Sequence, residues 1–287
     1  MLRSYSVLIF VVFISNFLNA HQLHPSEMRV KLGDTNIKVV SWGRGETIVL
    51  LHGGSGPVPS FGGLAPKLAE RGFRVLMVNR RGFAGSTGPL TDLTLHDYAS
   101  DLASVTNDLV GGPVHVLGHA YGNRVARCFA ADYPKLTKTV ILLAAGGEVT
   151  GEEAAWAALR RMSEPNISRI EKVKLARASL FSPKTAASVI LKYLDSRRGS
   201  KDGQAAARAA NRKTMLEDWW GAGSSQMLVI QGLDDLIAPK ENGRNLLNKL
   251  AGRVTLAELE NAGHAIIVEQ TDKLAEIISG FVNSSER

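Results

Sequence analysis

The chain is poor in the residues that build cross-linked or metal-rich folds. Its 287 residues include one cysteine, Cys128, which excludes an internal disulfide framework and a cysteine-rich zinc or iron–sulfur site. The seven histidines are scattered and form no H-E-x-x-H pair. We therefore expect neither a metal nor a cofactor.

Intrinsic disorder and nucleic-acid binding are also disfavoured. The chain is 45% hydrophobic and 21% charged, which is ordinary for a globular protein, and its length fits one large domain carrying an insertion. The formal net charge is +7, but the basic residues are diffuse and not interleaved with aromatic residues. The sequence therefore predicts no nucleic-acid partner.

Long apolar runs are absent beyond the first twenty residues. Met1-Leu2-Arg3 gives a short positive start, residues 6–18 are apolar, and Ala20 is a small residue at a cleavage position. This layout predicts a secretory signal peptide over residues 1–20, too short for a comfortable membrane span. We expect a secreted or periplasmic mature chain without stable membrane insertion. An uncleaved N-terminal membrane anchor is the alternative.

Short apolar runs alternate with longer helical patterns from residue 26 onward. The middle runs, such as residues 46–52, are continuously apolar, which is typical of strands buried on both faces of a parallel sheet. The first two runs alternate instead and are joined by Gly33-Asp34, a hairpin signal. We predict an α/β fold whose mostly parallel eight-stranded sheet begins antiparallel and carries helices on both faces. The predicted strands are 26–32, 36–42, 46–52, 73–79, 113–118, 138–145, 226–232 and 253–259, and the core helices are 62–71, 94–110, 121–133, 239–251 and 268–282.

Residues 148–222 interrupt this rhythm with helical patterns alone. An all-helical insertion between two buried strands predicts a lid over the end of the sheet, leaving residues 21–147 and 223–287 as the core. Residues 148–220 contain 14 basic and 9 acidic residues, an excess of five that is nearly all of the net charge of +6 left after residues 1–20 are removed. A solvated surface and an anion-binding role both fit this charge, so we expect a small neutral or anionic ligand. The predicted helices of the lid are 152–162, 166–180, 184–196 and 203–217.

Several loops follow strand ends and should meet at the carboxyl edge of the sheet. The turn over residues 51–56 is rich in glycine, so its backbone N–H groups can hold a developing oxyanion. Residues 116–123 connect a buried strand to a helix. Asp235 and His264 follow the last two strands and complete the set.

The order of these parts resembles the α/β-hydrolase superfamily over essentially the whole mature chain. The segment over residues 79–86 is similar to the family's Asp-x-Arg-Gly-x-Gly-x-Ser stretch, with Asn79 where aspartate is usual. The Gly-x-x-Asp-x-x-x-Pro spacing over residues 232–239 is similar to the family's acid loop. The resemblance implies that Asp235 is the carboxylate, His264 the base, and the amides of Gly54 and Tyr121 the oxyanion donors.

The turn over residues 118–122, between the buried strand and the helix, corresponds to the family's nucleophile elbow. The sequence departs from the family at the centre of this elbow. The usual Gly-x-Ser-x-Gly is Gly118-His119-Ala120-Tyr121-Gly122 here, and alanine at the nucleophile position has no nucleophilic atom. An enzyme without a covalent intermediate remains open, in which His264 activates water or a substrate proton for hydrolysis, C–C cleavage or cofactor-free oxygen chemistry. An inactive ligand-binding pseudoenzyme and an engineered serine-to-alanine variant of an esterase-type hydrolase are the alternatives.

Neighbouring residues have weaker functional readings. Ser55 lies in the oxyanion turn, and Trp219 and Trp220 close the lid, so all three are candidates for substrate binding; turn formation and packing are their structural alternatives. His119 is interpreted as a hydrogen-bonded structural histidine. Cys128 is interpreted as a small buried hydrophobic residue.

Overall fold

The computed structural model describes residues 24–285, and the signal peptide predicted over residues 1–20 lies outside them. One eight-stranded sheet runs through this region in the order β1-β2-β4-β3-β5-β6-β7-β8. The first two strands are antiparallel to their neighbours and the others are parallel. The predicted mostly parallel sheet is confirmed. The strands are β1 (Ser26–Leu32), β2 (Thr35–Trp42), β3 (Thr47–Leu51), β4 (Arg74–Val78), β5 (Val114–His119), β6 (Thr137–Leu143), β7 (Gln226–Gly232) and β8 (Val254–Leu259).

Helices cover both faces of the sheet. Strand β3 is buried along its whole length, with Ile48 and Leu50 in the apolar cluster on one face and Val49 and Leu51 in the cluster on the other. This explains why its sequence shows no alternation. The helices are α1 (Leu64–Glu70), α2 (Leu95–Leu109), α3 (Tyr121–Asp132), α4 (Glu153–Arg161), α5 (Arg169–Arg177), α6 (Ala187–Ser196), α7 (Lys201–Lys213), α8 (Glu241–Lys249), α9 (Ile266–Glu269) and α10 (Thr271–Ser285), with short 3-10 turns at Pro59–Gly63 and Pro134–Leu136.

The strand order creates a switch point between β3 and β5. These two strands are neighbours, yet the chain leaves β3 toward β4 on one side and leaves β5 toward β6 on the other. Ligands of open α/β sheets bind at the carboxyl ends of strands at such a point. The Gly-rich turn after β3 and the elbow after β5 therefore flank one crevice.

The helices of the insertion differ in extent from the prediction. Residues 166–180 and 203–217 were expected to be helical, whereas α5 and α7 begin at Arg169 and Lys201. The reason is N-capping: Ser168 Oγ accepts a hydrogen bond from Glu171 N, and Ser200 Oγ from Gly203 N. The predicted helix over 268–282 is two helices, α9 and α10. Across residues 24–285, no helix is both long and apolar enough to cross a bilayer.

Candidate active site

The elbow between β5 and α3 keeps a sharp, strained turn although its central residue is alanine. Ala120 has φ 51° and ψ −113°, a region that side-chain-bearing residues rarely adopt and that costs about 1–3 kcal/mol. The flanking glycines are required by close approach: a Cβ on Gly118 would clash with the backbone of Gly122, and one on Gly122 with the carbonyl of Leu51. Ala120 is partly exposed at the tip of this turn.

Hydrogen bonds to β6 hold the elbow in place. Ala120 N donates to Leu143 O at 3.0 Å. The buried amide of Asn123 donates to the carbonyls of Leu143 and Ala144 at 2.9 and 3.0 Å. The turn is therefore supported from below by a neighbouring strand, which is how the fold offsets its backbone strain.

The structure brings Asp235 and His264 together. His264 Nδ1 lies 3.0 Å from Asp235 Oδ2. The carboxylate is fully buried, and its Oδ1 accepts hydrogen bonds from the backbone N–H groups of Ile237 and Ala238 at 2.9 and 2.8 Å. These donors stabilise the ionised carboxylate and fix its orientation. Because Nδ1 is engaged by Asp235, the lone pair of His264 is carried by Nε2.

The loop that carries His264, residues 260–265, is called the histidine loop. It is held in place by a second carboxylate that the sequence analysis missed. Glu269 accepts hydrogen bonds from Gly263 N at 2.8 Å, Ser182 N at 2.8 Å and Thr185 Oγ1. Burial raises the pKa of Glu269 above its usual value, against the opposing effect of these donors. Glu269 therefore ties the residue before His264 to the segment between α5 and α6.

His119 links the elbow to the histidine loop. Its Nε2 donates to His264 O at 2.8 Å, and the two rings lie 5.5 Å apart. Burial lowers the pKa of His119 to about 4, with the nearby His264 acting in the same direction. His119 is therefore neutral at physiological pH and is the hydrogen-bonded structural histidine that the sequence favoured.

The Gly-rich turn after β3 lies beside the elbow. Gly53, Gly54 and Ser55 are partly exposed, while His52 is buried. The guanidinium of Arg80 donates to the carbonyls of His52 and Gly53 and so holds them on the protein side of the turn. A Cβ on Gly54 would lie 3.6 Å from Tyr121 Cβ, so the two implied oxyanion residues adjoin.

Arg80 is buried among aromatic rings, and it occupies a variable position of the motif over residues 79–86. Its guanidinium lies 4.6 Å from the ring centroid of Tyr121, 5.1 Å from that of Phe83 and 5.9 Å from that of Tyr98. Burial lowers the pKa of Arg80, which two of these rings partly offset. In the sequence, Arg80 stands out only as a second arginine beside Arg81. Arg81 itself pairs with Asp101 at 2.5 Å.

Trp219 and Trp220 pack against helices and the start of the insertion. Trp219 is 3% exposed and lies under the guanidinium of Arg127, 4.5 Å from the indole centroid. Trp220 approaches Gly147 and has the Lys249 ammonium over its ring at 5.4 Å. These contacts favour packing, the structural alternative for both residues, over substrate binding.

Three segments of the helical insertion contact loops of the crevice. These loops are the Gly-rich turn, the elbow and the histidine loop. Arg198 N donates to Pro57 O at 3.3 Å, next to the Gly-rich turn. Tyr121 Oη donates to Ala207 O at 2.8 Å, at the elbow. The carbonyl of Leu180 accepts from Ala265 N at 2.8 Å, beside His264. The insertion therefore contacts the Gly-rich turn, the elbow and the loop that carries His264.

Two surface depressions border the loops that support the site. One of about 420 Å³ is lined by Arg71 and residues 269–273, and one of about 280 Å³ by residues 182–184 and Asp234. Both border loops that support Asp235 or His264, but neither is lined by Ala120. The candidate site is defined by the convergence of its chemical groups.

Comparison with known proteins identifies the family that this geometry suggested. The sequence model of the alpha/beta hydrolase family matches residues 48–277, about four-fifths of the chain. This chain belongs to the alpha/beta hydrolase family. The match extends from β3 into α10 and includes the elbow, the insertion and the loops that carry Asp235 and His264.

Known relatives of this alpha/beta hydrolase act on small molecules. A 2-hydroxy-6-oxononadienedioate/2-hydroxy-6-oxononatrienedioate hydrolase of Klebsiella pneumoniae is 27% identical over 259 residues, covering 83% of this chain and 87% of its own. A 2-(acetamidomethylene)succinate hydrolase of Mesorhizobium japonicum is 31% identical over 120 residues. That match covers 42% of this chain and 43% of the relative, less than half the length of either protein.

Solved structures support the fold. An esterase from Exiguobacterium antarcticum superposes with a TM-score of 0.76 at 22% identity, covering 90% of this chain and the whole of the esterase. At this identity the likeness concerns the architecture alone.

Proposed function

We propose that this protein hydrolyses small neutral or anionic molecules without a covalent intermediate, with His264 as the general base. The observation that carries the proposal is the hydrogen-bonded pair of His264 and buried Asp235. This pair lies beside an elbow in which the residue at the nucleophile position is Ala120. Asp235 is oriented by two backbone N–H groups, so the pair is organised for proton transfer although no serine stands at position 120.

The proposed step uses water as the nucleophile. His264 Nε2 removes a proton from a water molecule while the water oxygen bonds to the substrate carbonyl carbon. Asp235 stays ionised and stabilises the imidazolium that forms. When the tetrahedral intermediate collapses, the bond to the leaving group breaks and His264 returns the proton to that group.

The charge that develops on the carbonyl oxygen is stabilised by backbone N–H groups. Tyr121 is the first residue of α3, so its N–H has no carbonyl partner within the helix. Gly54 adjoins it across the crevice, and Arg80 keeps the neighbouring carbonyls away from the developing negative charge. Donors fixed in this way need no reorganisation as the reaction proceeds.

Two observations support a small carboxylate-bearing substrate. The Klebsiella and Mesorhizobium relatives are named for substrates that are dicarboxylates. The insertion, which we propose forms the lid over the site, holds 14 basic and 9 acidic residues over 148–220. A positive lid favours entry of anions over cations.

Ala120 itself favours a second candidate, a protein that binds such a molecule without turning it over. In a triad enzyme, loss of the nucleophile costs on the order of 10⁶ in kcat, and the oxyanion hole and binding alone retain only 10³–10⁴ over water. The Asp235–His264 pair would then serve to hold the loops together.

Turnover of a panel of small dicarboxylate amides and esters separates the two candidates. The wild-type protein should hydrolyse at least one of them, incorporate oxygen from isotopically labelled water into the acid product, and show no burst phase. His264→Ala should reduce kcat by at least about a hundredfold, because general acid–base catalysis contributes about 10²–10⁴.

His24→Ala is the matched control, since His24 is an exposed histidine at the start of the described region. It should leave kcat and KM unchanged. Turnover that survives in His264→Ala would overturn the proposal. Ligand binding by calorimetry without any turnover would establish the binding protein instead.

A further inference from the structure

A cluster of potential metal ligands lies between α2 and α3, away from the elbow. His96, Cys128 and Asp132 place one potential ligand atom each within 4.8 Å of the others. His96 Nδ1 lies 2.8 Å from Asp132 Oδ2, and Cys128 Sγ lies 3.4 Å from that nitrogen and 3.6 Å from that oxygen. Cys128 is eight residues beyond Ala120, about 12 Å along the helix axis.

The cluster results from two helices that pack side by side. Cys128 and Asp132 are four residues apart on α3 and therefore share one face. His96 is in the first turn of α2, which Thr94 and Asp97 fix with a capping box. Cys128 is fully buried, whereas the side chains of His96 and Asp132 are 43% and 26% exposed. The thiol thus forms the floor of a site that opens to solvent.

The spacing of the three atoms is close to that of a tetrahedral zinc site. Zinc–sulfur bonds of about 2.3 Å and zinc–nitrogen or zinc–oxygen bonds of about 2.0–2.1 Å place ligand atoms about 3.3–3.6 Å apart. Both separations that involve Cys128 Sγ already have this length. The distance between His96 Nδ1 and Asp132 Oδ2 needs to increase by about half an ångström, which their partly exposed side chains permit.

The donor set and its surroundings also suit zinc. One thiolate, one imidazole and one carboxylate are ligand types that Zn²⁺ accepts together, with a fourth position left for water. Asp218 Oδ2 lies 3.7 Å from His96 Nε2, the ring nitrogen that faces away from the cluster. A carboxylate on the second nitrogen is the usual support of a metal-bound histidine.

We propose that His96, Cys128 and Asp132 bind one divalent transition-metal ion, with zinc as the preferred occupant. Binding replaces the thiol proton and the proton between His96 and Asp132, and both are released to solvent. The ion would join α2 to the end of α3 and, through Asp218, to the segment that closes the helical insertion. Its role is structural, since neither Asp235 nor His264 belongs to the cluster.

Cobalt substitution tests the proposal directly. The purified protein, stripped with a chelator and dialysed, is titrated with Co²⁺. We expect one equivalent to produce a thiolate-to-cobalt charge-transfer band together with the intense visible bands of four-coordinate cobalt, and one equivalent of Zn²⁺ to abolish both. Zn²⁺ should also raise the Tm of the stripped protein.

Variants separate this site from other metal-binding surfaces. Cys128→Ser should abolish the charge-transfer band. His96→Ala, on the exposed rim where the fold tolerates truncation, should weaken cobalt binding at least about tenfold, and Asp218→Asn should weaken it without removing the band. His264→Ala is the control and should titrate like the wild type, because the Asp235–His264 pair is not involved.

Either of two results would overturn the proposal. One is a cobalt complex without a thiolate band in the wild-type protein. The other is metal binding that persists unchanged in both Cys128→Ser and His96→Ala. Circular dichroism of each variant, compared with the wild type, verifies that a lost band is not a lost fold.

Discussion

At the scale of single residues, the side chain at position 120 decides whether hydrolysis can proceed through a covalent intermediate. Ala120 occupies the strained elbow conformation, with φ 51°, that serves to present a side chain at the tip of the turn. The hydrogen bonds around it depend on the backbone and on Asn123, not on the side chain at 120. A hydroxyl can therefore be introduced there without altering the geometry that supports it.

Ala120→Ser should convert the site to covalent hydrolysis. With Asp235 and His264 already paired, we expect hydrolysis of a nitrophenyl acetate to increase at least about a hundredfold, since the nucleophile of a triad is worth on the order of 10⁶ in kcat. Stopped-flow absorbance should show a burst of nitrophenol equal to the enzyme concentration. The wild type should show none, and Ala120→Ser combined with His264→Ala should lose the gain. A burst in the wild type, with the acyl group mapped by mass spectrometry to Ser55 or Tyr121, would contradict this prediction.

His119 should make the protein sensitive to mild acid. Burial lowers its pKa to about 4, below the value of about 6.5 expected in the unfolded chain. The unfolded state therefore binds more protons between these values, so this contribution to stability is complete above pH 6.5 and is lost as the pH falls toward 4. The shift in the pKa of His119 corresponds to roughly 3 kcal/mol of unfolding free energy. Burial also lowers the pKa of His52, so His52 affects stability in the same direction.

Urea denaturation at pH 7 and pH 4.5 measures this contribution. His119→Gln keeps a donor for the carbonyl of His264 but does not titrate, so its unfolding free energy should fall less between the two pH values than that of the wild type. An equal fall in both proteins would show that His119 is not the responsible group.

At the scale of elements, helix α3 holds the two ends of the insertion. Arg127 is fully buried, and burial lowers its pKa to about 9. Its guanidinium donates to the carbonyl of Gly146, before the insertion, and approaches that of Trp220, at its end, at 3.4 Å. One side chain on the helix that begins at the elbow therefore fixes where the insertion leaves and rejoins the core.

Arg127→Met should loosen the insertion before it unfolds the core. Methionine fills the space but leaves the partly buried carbonyls of Gly146 and Trp220 without this donor, and we expect a loss of about 1–3 kcal/mol after relief of the buried charge is included. Limited proteolysis should then cut within residues 148–222 faster than in the wild type. Arg244→Met, which removes an exposed pair with Glu258, is the control and should leave both the urea midpoint and the cleavage rate close to wild type.

At the scale of the whole molecule, charge is distributed unevenly between core and insertion. Residues 148–220 carry an excess of five positive charges, while the chain as a whole has a net charge of +7. Several of these cations are paired, such as Arg169 with Asp195 and Lys213 with Asp92, and both pairs are exposed. With the insertion as the proposed lid, the field over the crevice would be positive and open to screening by salt.

Anionic substrates should consequently lose affinity in salt. In Ala120→Ser, the KM of a nitrophenyl hemisuccinate should rise several-fold between low and physiological ionic strength, because exposed charges are screened beyond about 8–10 Å. The KM of the neutral acetate ester should remain constant under the same conditions. Equal responses of the two esters, or tighter binding of a cationic analogue, would contradict a role of the insertion's charge.

Local sequence determined most of the fold. The continuous apolar run of β3, buried on both faces, indicates a parallel central strand, and the Gly33-Asp34 turn indicates the antiparallel start of the sheet. Gly118 and Gly122 could be predicted from the sequence to flank a sharp turn. The structure shows why glycine is needed there, because a Cβ at either position would clash with backbone. These features depend on periodicity and on conformations that a few neighbouring residues specify, so they are legible in the chain itself.

The remainder was decided by the tertiary structure. Arg80 reaches the carbonyl of His52 across 28 residues of chain, and His119 reaches that of His264 across 145. Cys128 is buried in an apolar cluster, as expected, and packing of α2 against α3 also places it beside His96 and Asp132. No spacing in the sequence indicates these contacts, because side-chain donors and acceptors are assigned to one another only when distant segments fold onto a common surface.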